Sequence, residues 1–204
     1  MKKLYSLALI LAAVVVVAAA VKSTSRTGST PDSKATIALG SVVTDFTLPD
    51  ADGKAHTLAS LKGSKGTVII FIATKCPVSN GYNERMQKLY ADYNSRGINI
   101  VGINSNVAEL APEVKQHAAE KGLRFTILKD TGNVIADRFD AQVTPEAYLL
   151  DATGKLVYHG RIDNSRAGDA ITSTELRDAI EAVLAGKSVE KTEAKAFGCS
   201  IKRA

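Results

Sequence analysis

A strand-to-helix junction centred on Cys76 constrains this chain more than any other stretch. Residues 68–73 form an apolar, β-branched run with the length of a buried strand, and the polar residues that follow favour a turn and then a helix. Pro77 suits the first helical position. A thiolate at a helix N-terminus is stabilised by unpaired backbone N–H groups and by the helix dipole. The sequence therefore predicts a nucleophilic cysteine, against the alternative of a small apolar side chain that caps the strand.

Two neighbours of Cys76 are expected to support the thiolate. Ser79 follows the cysteine by three positions, so we expect its hydroxyl to turn toward the sulfur. Lys75 precedes the cysteine and adds positive charge, which lowers the pKa of a nearby thiol.

The first residues predict export. Two lysines, at positions 2 and 3, precede the apolar run 4–21, which is typical of a signal peptide. Ala18 and Ala20 give a small-x-small cleavage pattern, but a run of about 18 apolar residues also approaches the lower limit for a membrane-spanning helix. Residues 1–21 are thus interpreted as a signal peptide or N-terminal membrane anchor, and the protein is expected to be periplasmic or otherwise extracytoplasmic.

Charge and cysteine content exclude two broad classes. The formal net charge of +5 falls to +3 if the two N-terminal lysines are removed, and basic residues alternate with acidic ones, so no nucleic-acid partner is predicted. Export would place Cys76 and Cys199 in an oxidising compartment, where they could form a disulfide. Two cysteines in a chain of this length do not make a disulfide scaffold, because the chain can bury an adequate core without one.

The remaining sequence predicts one domain between a linker and a tail. Residues 22–39 are rich in polar and small residues and are interpreted as a linker. Within 40–186, an N-terminal β-hairpin is followed by alternating strands and helices, which imply parallel strands with right-handed crossovers. A second hairpin over 147–162 and an amphipathic helix over 174–184 complete the domain. Residues 187–204 form an extended polar tail that carries Cys199.

Four segments resemble, in order and spacing, the thioredoxin-like redoxins of the AhpC/TSA superfamily: DFTLPDADGK, a strand ending in ATKCPVS, VTPEAYLLDATGKLVYHGRID, and the last helix. Within that superfamily the architecture is closest to exported thiol-disulfide oxidoreductases that have an N-terminal hairpin extension. The resemblance implies an α/β, thioredoxin-like fold with a central mixed β-sheet flanked by helices. It also implies thiol or disulfide protein substrates and a reducing partner, with no cofactor and no metal.

The resemblance assigns expected roles to three positions. Cys76 matches the attacking cysteine of the family. Thr144 and Pro145 match its cis-proline element, which lies opposite the active-site helix and leaves the preceding backbone free to pair with a substrate strand. An X-Pro bond is also where a cis peptide costs least.

Two departures from the family pattern affect the expected mechanism. Ser79 stands where a Cys-x-x-Cys motif has its second cysteine, so no resolving thiol lies on the same helical turn. The Pro and Thr or Ser that peroxiredoxins place seven and three residues before the attacking cysteine are Ile69 and Ala73 here. A thiol-dependent peroxidase stays open as an alternative, with Arg161 as a possible cation.

Cys199 gives three further hypotheses. It lies in FGCSIK, a short apolar segment of the polar tail, and the leading hypothesis is that it docks and resolves Cys76 as a mobile second thiol. The same pair could instead form a permanent structural disulfide. A redox-inert or copper-handling binding module is also possible, because two thiolates and the His159 imidazole suit copper.

Overall fold

A computed structural model describes residues 36–204 of the chain. The predicted signal peptide or anchor, residues 1–21, lies outside the described residues, as does the predicted linker up to residue 35. Within the described range, no helix has the length and apolar character needed to cross a membrane.

A six-stranded mixed sheet forms the centre of the domain, in the order β5 (Thr126–Lys129), β4 (Ile98–Asn104), β3 (Gly66–Ile72), β7 (Glu146–Asp151), β8 (Leu156–Gly160) and β9 (Glu193–Ala194). Its middle strand, β3 (Gly66–Ile72), is buried along its whole length, as the apolar run predicts. β3 pairs in parallel with β4 (Ile98–Asn104), which in turn pairs in parallel with β5 (Thr126–Lys129). On its other side, β3 pairs antiparallel with β7 (Glu146–Asp151), and β7 with β8 (Leu156–Gly160).

Alternate residues of β3 enter two separate apolar clusters, one on each face of the sheet. Val68, Ile70 and Ile72 pack into the first cluster, whereas Ile69 and Phe71 pack into the second. This division follows from the two-residue period of a strand. Both faces are therefore covered, which explains why the sequence of β3 is apolar without alternation.

Within residues 36–204, five α-helices flank the sheet: α1 (Pro77–Asn80), α2 (Asn83–Tyr93), α3 (Ala111–Glu120), α4 (Val134–Phe139) and α5 (Glu175–Leu184). The helix predicted after Cys76 is interrupted at residues 81 and 82. There the N–H of Tyr82 donates to Ser79, three residues back, at 3.0 Å, instead of continuing the four-residue pattern. The active-site helix is consequently a single turn, and α2 begins after it.

The predicted N-terminal hairpin is present and short. β1 (Thr47–Pro49) pairs antiparallel with β2 (Ala55–Thr57) around a turn fixed by Asp50. His56 lies 2.8 Å from the Asp50 carboxylate and so has a local structural role. The predicted α/β architecture, a mixed sheet flanked by helices with an N-terminal hairpin, is confirmed.

The tail is packed against the domain, although its sequence is largely polar. β9 (Glu193–Ala194) adds to the sheet beside β8, and β10 (Cys199–Ser200) pairs antiparallel with β6 (Val143–Thr144). Ala194 belongs to the first apolar cluster and Ile201, 5% exposed, to the second. The tail is therefore docked by a few buried apolar side chains together with the backbone pairing of β9 and β10.

The docking of the tail can be tested at Ile201. We expect Ile201→Ala to lower the free energy of unfolding of the reduced protein by about 2 to 4 kcal/mol, since it removes a buried aliphatic side chain. Urea unfolding followed by circular dichroism would measure the change. Ser200→Ala is the matched control, because Ser200 is exposed and its loss should change the free energy by less than about 0.5 kcal/mol. Equal free energies of unfolding for the two variants would contradict the conclusion that the tail is docked.

Candidate redox site

Cys76 lies at the junction between β3 and α1, where the sequence predicted it. It is the N-cap residue of α1, with Pro77 in the first turn. The backbone N–H of Ser79 donates to the Cys76 sulfur at 3.3 Å, so one of the unpaired donors of the helix end stabilises a thiolate there. The side chain is nevertheless only 4% exposed.

The expected roles of Ser79 and Lys75 are wrong in detail. The Ser79 hydroxyl accepts from the N–H of Ala73 at 3.1 Å, so it ties α1 to the end of β3. Its contribution to the sulfur comes from the backbone instead. The Lys75 ammonium lies 2.9 Å from the carbonyl of Ala108 and 3.0 Å from the Glu113 carboxylate, so it forms an ion pair with the first turn of α3.

Thr144 lies against Cys76, and Pro145 follows Thr144 in the chain. The peptide bond between them is cis. The Cys76 thiol donates to the Thr144 carbonyl at 3.4 Å. Thr144 belongs to β6, and its register partner in β10 is Cys199. The structure thus brings together four of the residues selected from the sequence, Cys76, Thr144, Pro145 and Cys199, with Ser79 beneath them.

Gly198 permits this close approach of the tail. A Cβ atom built at this position would lie 1.9 Å from the Thr144 carbonyl oxygen, which no side chain tolerates. The glycine therefore lets β10 pair with β6 and carries Cys199 to Cys76, with both cysteines in the free thiol form.

The two thiols have opposite pKa shifts. Burial by itself would raise the pKa of the Cys76 thiol, but hydrogen bonds from the Cys199 side chain and from the Ser79 N–H outweigh it, so this pKa lies below its ordinary value. The same hydrogen bond to Cys76, together with burial, raises the pKa of Cys199. At a pH between the two values the pair shares one negative charge, held mainly on Cys76.

Glu109 is a site residue that the sequence analysis missed. Its carboxylate accepts from the N–H groups of Thr74 and Lys75 at 2.8 and 3.0 Å and so fixes the loop that leads into Cys76. Burial acts to raise the pKa of Glu109, yet these donors and Asn104 hold it below its usual range. The sequence did contain a signal for this role. Glu109 follows β4 and Cys76 follows β3, and the carboxyl ends of neighbouring parallel strands lie at the same edge of a sheet.

A buried network of hydrogen bonds connects the loop before Cys76 to the tail. The Lys129 ammonium donates to the Asn104 side chain at 2.8 Å and to the Asn106 carbonyl at 2.7 Å. The Asn106 side chain in turn accepts from the backbone N–H of Lys202 at 2.7 Å. Asn104 also donates to the Glu109 carboxylate, so one hydrogen-bond network holds both Glu109 and the residues after Cys199.

Arg161 and His159 have other partners. Arg161 binds the carboxylate of Glu175, where burial acts to raise the pKa of Glu175 but Arg161 lowers it, to about 2. Arg161 is therefore already paired with a carboxylate. His159 lies 2.6 Å from Glu146 and stacks on Tyr148. Within residues 36–204 no three His, Cys, Asp or Glu side chains are arranged to hold a metal ion, so His159 does not join the two thiols.

Comparisons with solved structures identify the fold as thioredoxin-like. The thioredoxin domain of a thiol-disulfide oxidoreductase from Bacteroides vulgatus shares it, with a TM-score of 0.53 at 22% identity, over 61% of this chain and 89% of that one. A hypothetical protein from Sinorhizobium meliloti is more similar, with a TM-score of 0.77 and 38% identity over 83% of this chain and 96% of that one. An uncharacterized conserved protein from Geobacillus kaustophilus has a TM-score of 0.77 and 34% identity, over 82% and 93%.

The sequence comparisons give the family. The model of the AhpC/TSA family matches residues 39–159, so the chain belongs to the AhpC/TSA family. The thiol-disulfide oxidoreductase ResA of Halalkalibacterium halodurans is 31% identical over 118 residues, 58% of this chain and 65% of that relative. ResA of Bacillus subtilis is 31% identical over 124 residues, 61% of this chain and 68% of that relative. The chain thus matches about two thirds of the length of these relatives, and their names support an oxidoreductase role.

The charge distribution at the site predicts a difference in reactivity between the two thiols. In the reduced protein, iodoacetamide alkylation of Cys76 should have a lower pH midpoint than that of Cys199, because hydrogen bonds lower the pKa of Cys76, whereas the hydrogen bond to Cys76 and burial raise the pKa of Cys199. Mass spectrometry of the separated peptides would give both midpoints. Lys75→Ala should leave the Cys76 midpoint unchanged, since that ammonium binds Glu113. Equal midpoints, or a large rise in Lys75→Ala, would refute this account.

Proposed function

We propose that this protein is an exported thiol-disulfide oxidoreductase whose redox couple is Cys76 and Cys199. The observation that carries the proposal is that both cysteines meet at Thr144: the Cys76 thiol donates to the Thr144 carbonyl at 3.4 Å, and Cys199 is the register partner of Thr144 in the pairing of β10 with β6. The names of the ResA relatives support the general reaction. The proposed clients are protein thiols or disulfides, with a separate reducing partner. Cleavage or retention of residues 1–21 decides between a periplasmic protein and one attached to the membrane.

Each residue of the site has a role in this reaction. Cys76 reacts as the thiolate of the couple, and Cys199 supplies the second thiol that Ser79 cannot. In the reductive direction the two thiols give up two electrons and two protons and become a disulfide, while a client disulfide becomes two thiols. The N–H of Ser79 stabilises the Cys76 thiolate, and Thr144 and Pro145 hold the edge at which β10 pairs.

The pKa difference favours exchange over a permanent structural disulfide. A stabilised Cys76 thiolate stabilises the reduced form and makes Cys76 a good leaving group, and both effects make a disulfide easier to reduce. Cys199 is half-buried, so one sulfur of the pair is within reach of solvent. A structural disulfide would gain nothing from either property.

Reduction potential and activity test this function. The oxidised wild-type protein should contain no free thiol, and its reduction potential should lie above about −300 mV, in the range of known oxidoreductases. Equilibration with glutathione buffers, followed by mass spectrometry, would measure it. Cys76→Ser and Cys199→Ser should both lose turnover in a disulfide-reduction assay, whereas Ser200→Ala should retain it. A potential well below that value would assign the pair to a structural disulfide instead.

Peroxide turnover should be slow. Ala73 has no hydroxyl to place on a peroxide, and Arg161 is bound to Glu175. Stopped-flow reaction of the reduced protein with hydrogen peroxide would give the rate, with Cys76→Ser as the background and a dedicated peroxiredoxin measured beside it. A rate equal to that of the peroxiredoxin would replace the oxidoreductase proposal with a peroxidase.

A further inference from the structure

The two thiols differ sharply in access. Cys76 is 4% exposed and is enclosed by α1, by Thr144 and by Cys199 itself. Cys199 lies on the outer side of this pair and is half-buried. An external thiol or disulfide approaching the site therefore meets Cys199 first.

The tail is held on both sides of Cys199, so Cys76 does not become open by a small movement. Before the cysteine, Phe197 packs on Tyr82 with ring centroids 6.4 Å apart, and the Arg166 guanidinium lies 5.3 Å from the Phe197 ring. After it, Ile201 is buried, and Lys202 donates its N–H to the Asn106 side chain and accepts from the N–H of Val107, both in the loop after β4. Exposing Cys76 requires release of both anchors.

The strand edge beside Cys76 is also occupied. Cys199 is the register partner of Thr144, and Gly198 approaches the Thr144 carbonyl more closely than any other residue type could. A client strand cannot pair with β6 while β10 is in place. Direct reaction of a client at Cys76 would therefore need the whole tail segment to leave.

The geometry of thiol-disulfide exchange also favours attack at Cys199 over attack at Cys76. The attacking thiolate, the attacked sulfur and the leaving sulfur lie nearly in line, so attack comes from the side opposite the leaving group. Cys76 is 4% exposed and Ser79, which donates its N–H to the sulfur, is 0% exposed, so an attacking thiolate has little room beside Cys76. Cys199 is half-buried and leaves more room for an in-line attack.

We propose that Cys199 is the sulfur that external partners attack and that carries their mixed disulfide, while Cys76 reacts only with Cys199. This inference rests on the proposed function and reverses the order expected from the sequence, in which Cys76 met the client and a mobile Cys199 resolved it. Here the tail stays docked, and Cys76 acts as the internal thiolate.

The steps balance in both directions. A partner thiolate attacks Cys199 of the oxidised protein, a bond forms between these two sulfurs, and the Cys76–Cys199 bond breaks with Cys76 leaving as the thiolate. A second thiol of the partner then attacks its own sulfur in the mixed disulfide and expels Cys199, which takes up a proton. The partner is oxidised to a disulfide and the protein is reduced to two thiols. In the reductive direction the Cys199 thiol gives up its proton and attacks a client disulfide, whose S–S bond breaks so that one client sulfur leaves as a thiolate and takes up a proton. The Cys76 thiolate then attacks Cys199, the mixed disulfide breaks, and the second client sulfur leaves as a thiolate that is protonated, while Cys76 and Cys199 become a disulfide.

Peptide mapping of the mixed disulfide tests the assignment. Oxidised full-length protein is mixed with reduced glutathione, quenched with acid after increasing times and digested with trypsin. The two cysteines fall in different tryptic peptides, 76–85 and 196–202. We expect glutathione on peptide 196–202. Glutathione on peptide 76–85 at the earliest times would overturn the inference and leave the proposed function intact, whereas failure to form the Cys76–Cys199 disulfide at all would refute the proposed function itself.

Single-cysteine variants give an answer even if the mixed disulfide of the wild type is too short-lived to collect. At a pH at which both thiols are ionised, reaction with 4,4′-dithiodipyridine should be at least about tenfold faster in Cys76→Ser than in Cys199→Ser, because only Cys76 requires local opening of the tail. Adding Ile201→Ala should accelerate the reaction of Cys76 and leave that of Cys199 within about twofold. Equal rates in the two variants, or no effect of Ile201→Ala on Cys76, would overturn the inference.

Discussion

The pairing of Cys199 with Thr144 is the contact on which the rest of the site depends. Thr144 offers its carbonyl to the Cys76 thiol, and its strand offers an edge to β10. Gly198 makes that edge reachable, because any side chain there would collide with the same carbonyl. One short strand pair thus fixes the distance between the two thiols, covers Cys76 and sets the direction of both pKa shifts. Without it, Cys76 would keep the Ser79 N–H and the Thr144 carbonyl as partners but would lose the second thiol.

The buried network of hydrogen bonds behind the site explains how a loop and a tail far apart in sequence stay in register. Glu109 accepts the N–H groups of the loop before Cys76, while Lys129 and Asn106 hold the loop after β4 to Lys202. Buried charges destabilise a fold unless they are paired and hydrogen-bonded. These groups meet that condition, so the same interactions that make their burial tolerable also connect the Cys76 loop to the residues that follow Cys199. A substitution at either end of the network would therefore change the position of both thiols.

Local sequence patterns were enough to predict the strand before Cys76, the helix cap at Pro77 and the N-terminal hairpin, because each depends on residues close together in the chain. The family resemblance supplied Thr144 and Pro145. The orientations of Ser79 and Lys75 were predicted wrongly, since their partners are decided by tertiary packing: the end of β3 for the hydroxyl and α3 for the ammonium. Glu109 was missed for the same reason. Docking of the segment around Cys199 was predicted, but the backbone pairing of that segment with Thr144 was not. The sequence separates Cys199 from Thr144 by more than fifty residues, and only the fold makes them register partners.

Placing the second thiol on the tail instead of on the active-site helix has an energetic consequence. In a Cys-x-x-Cys motif both thiols belong to one helical turn and are always close together. Here the disulfide requires the docked tail, so docking and oxidation favour each other through a single coupling free energy. Interactions that hold the tail, such as those of Phe197 and Ile201, stabilise the disulfide, whereas the reduced protein can still release the tail. Weakening the docking by about 1.4 kcal/mol would then make the protein more oxidising by up to about 30 mV. The apolar contacts of the tail therefore influence the redox potential as directly as the pKa of Cys76 does.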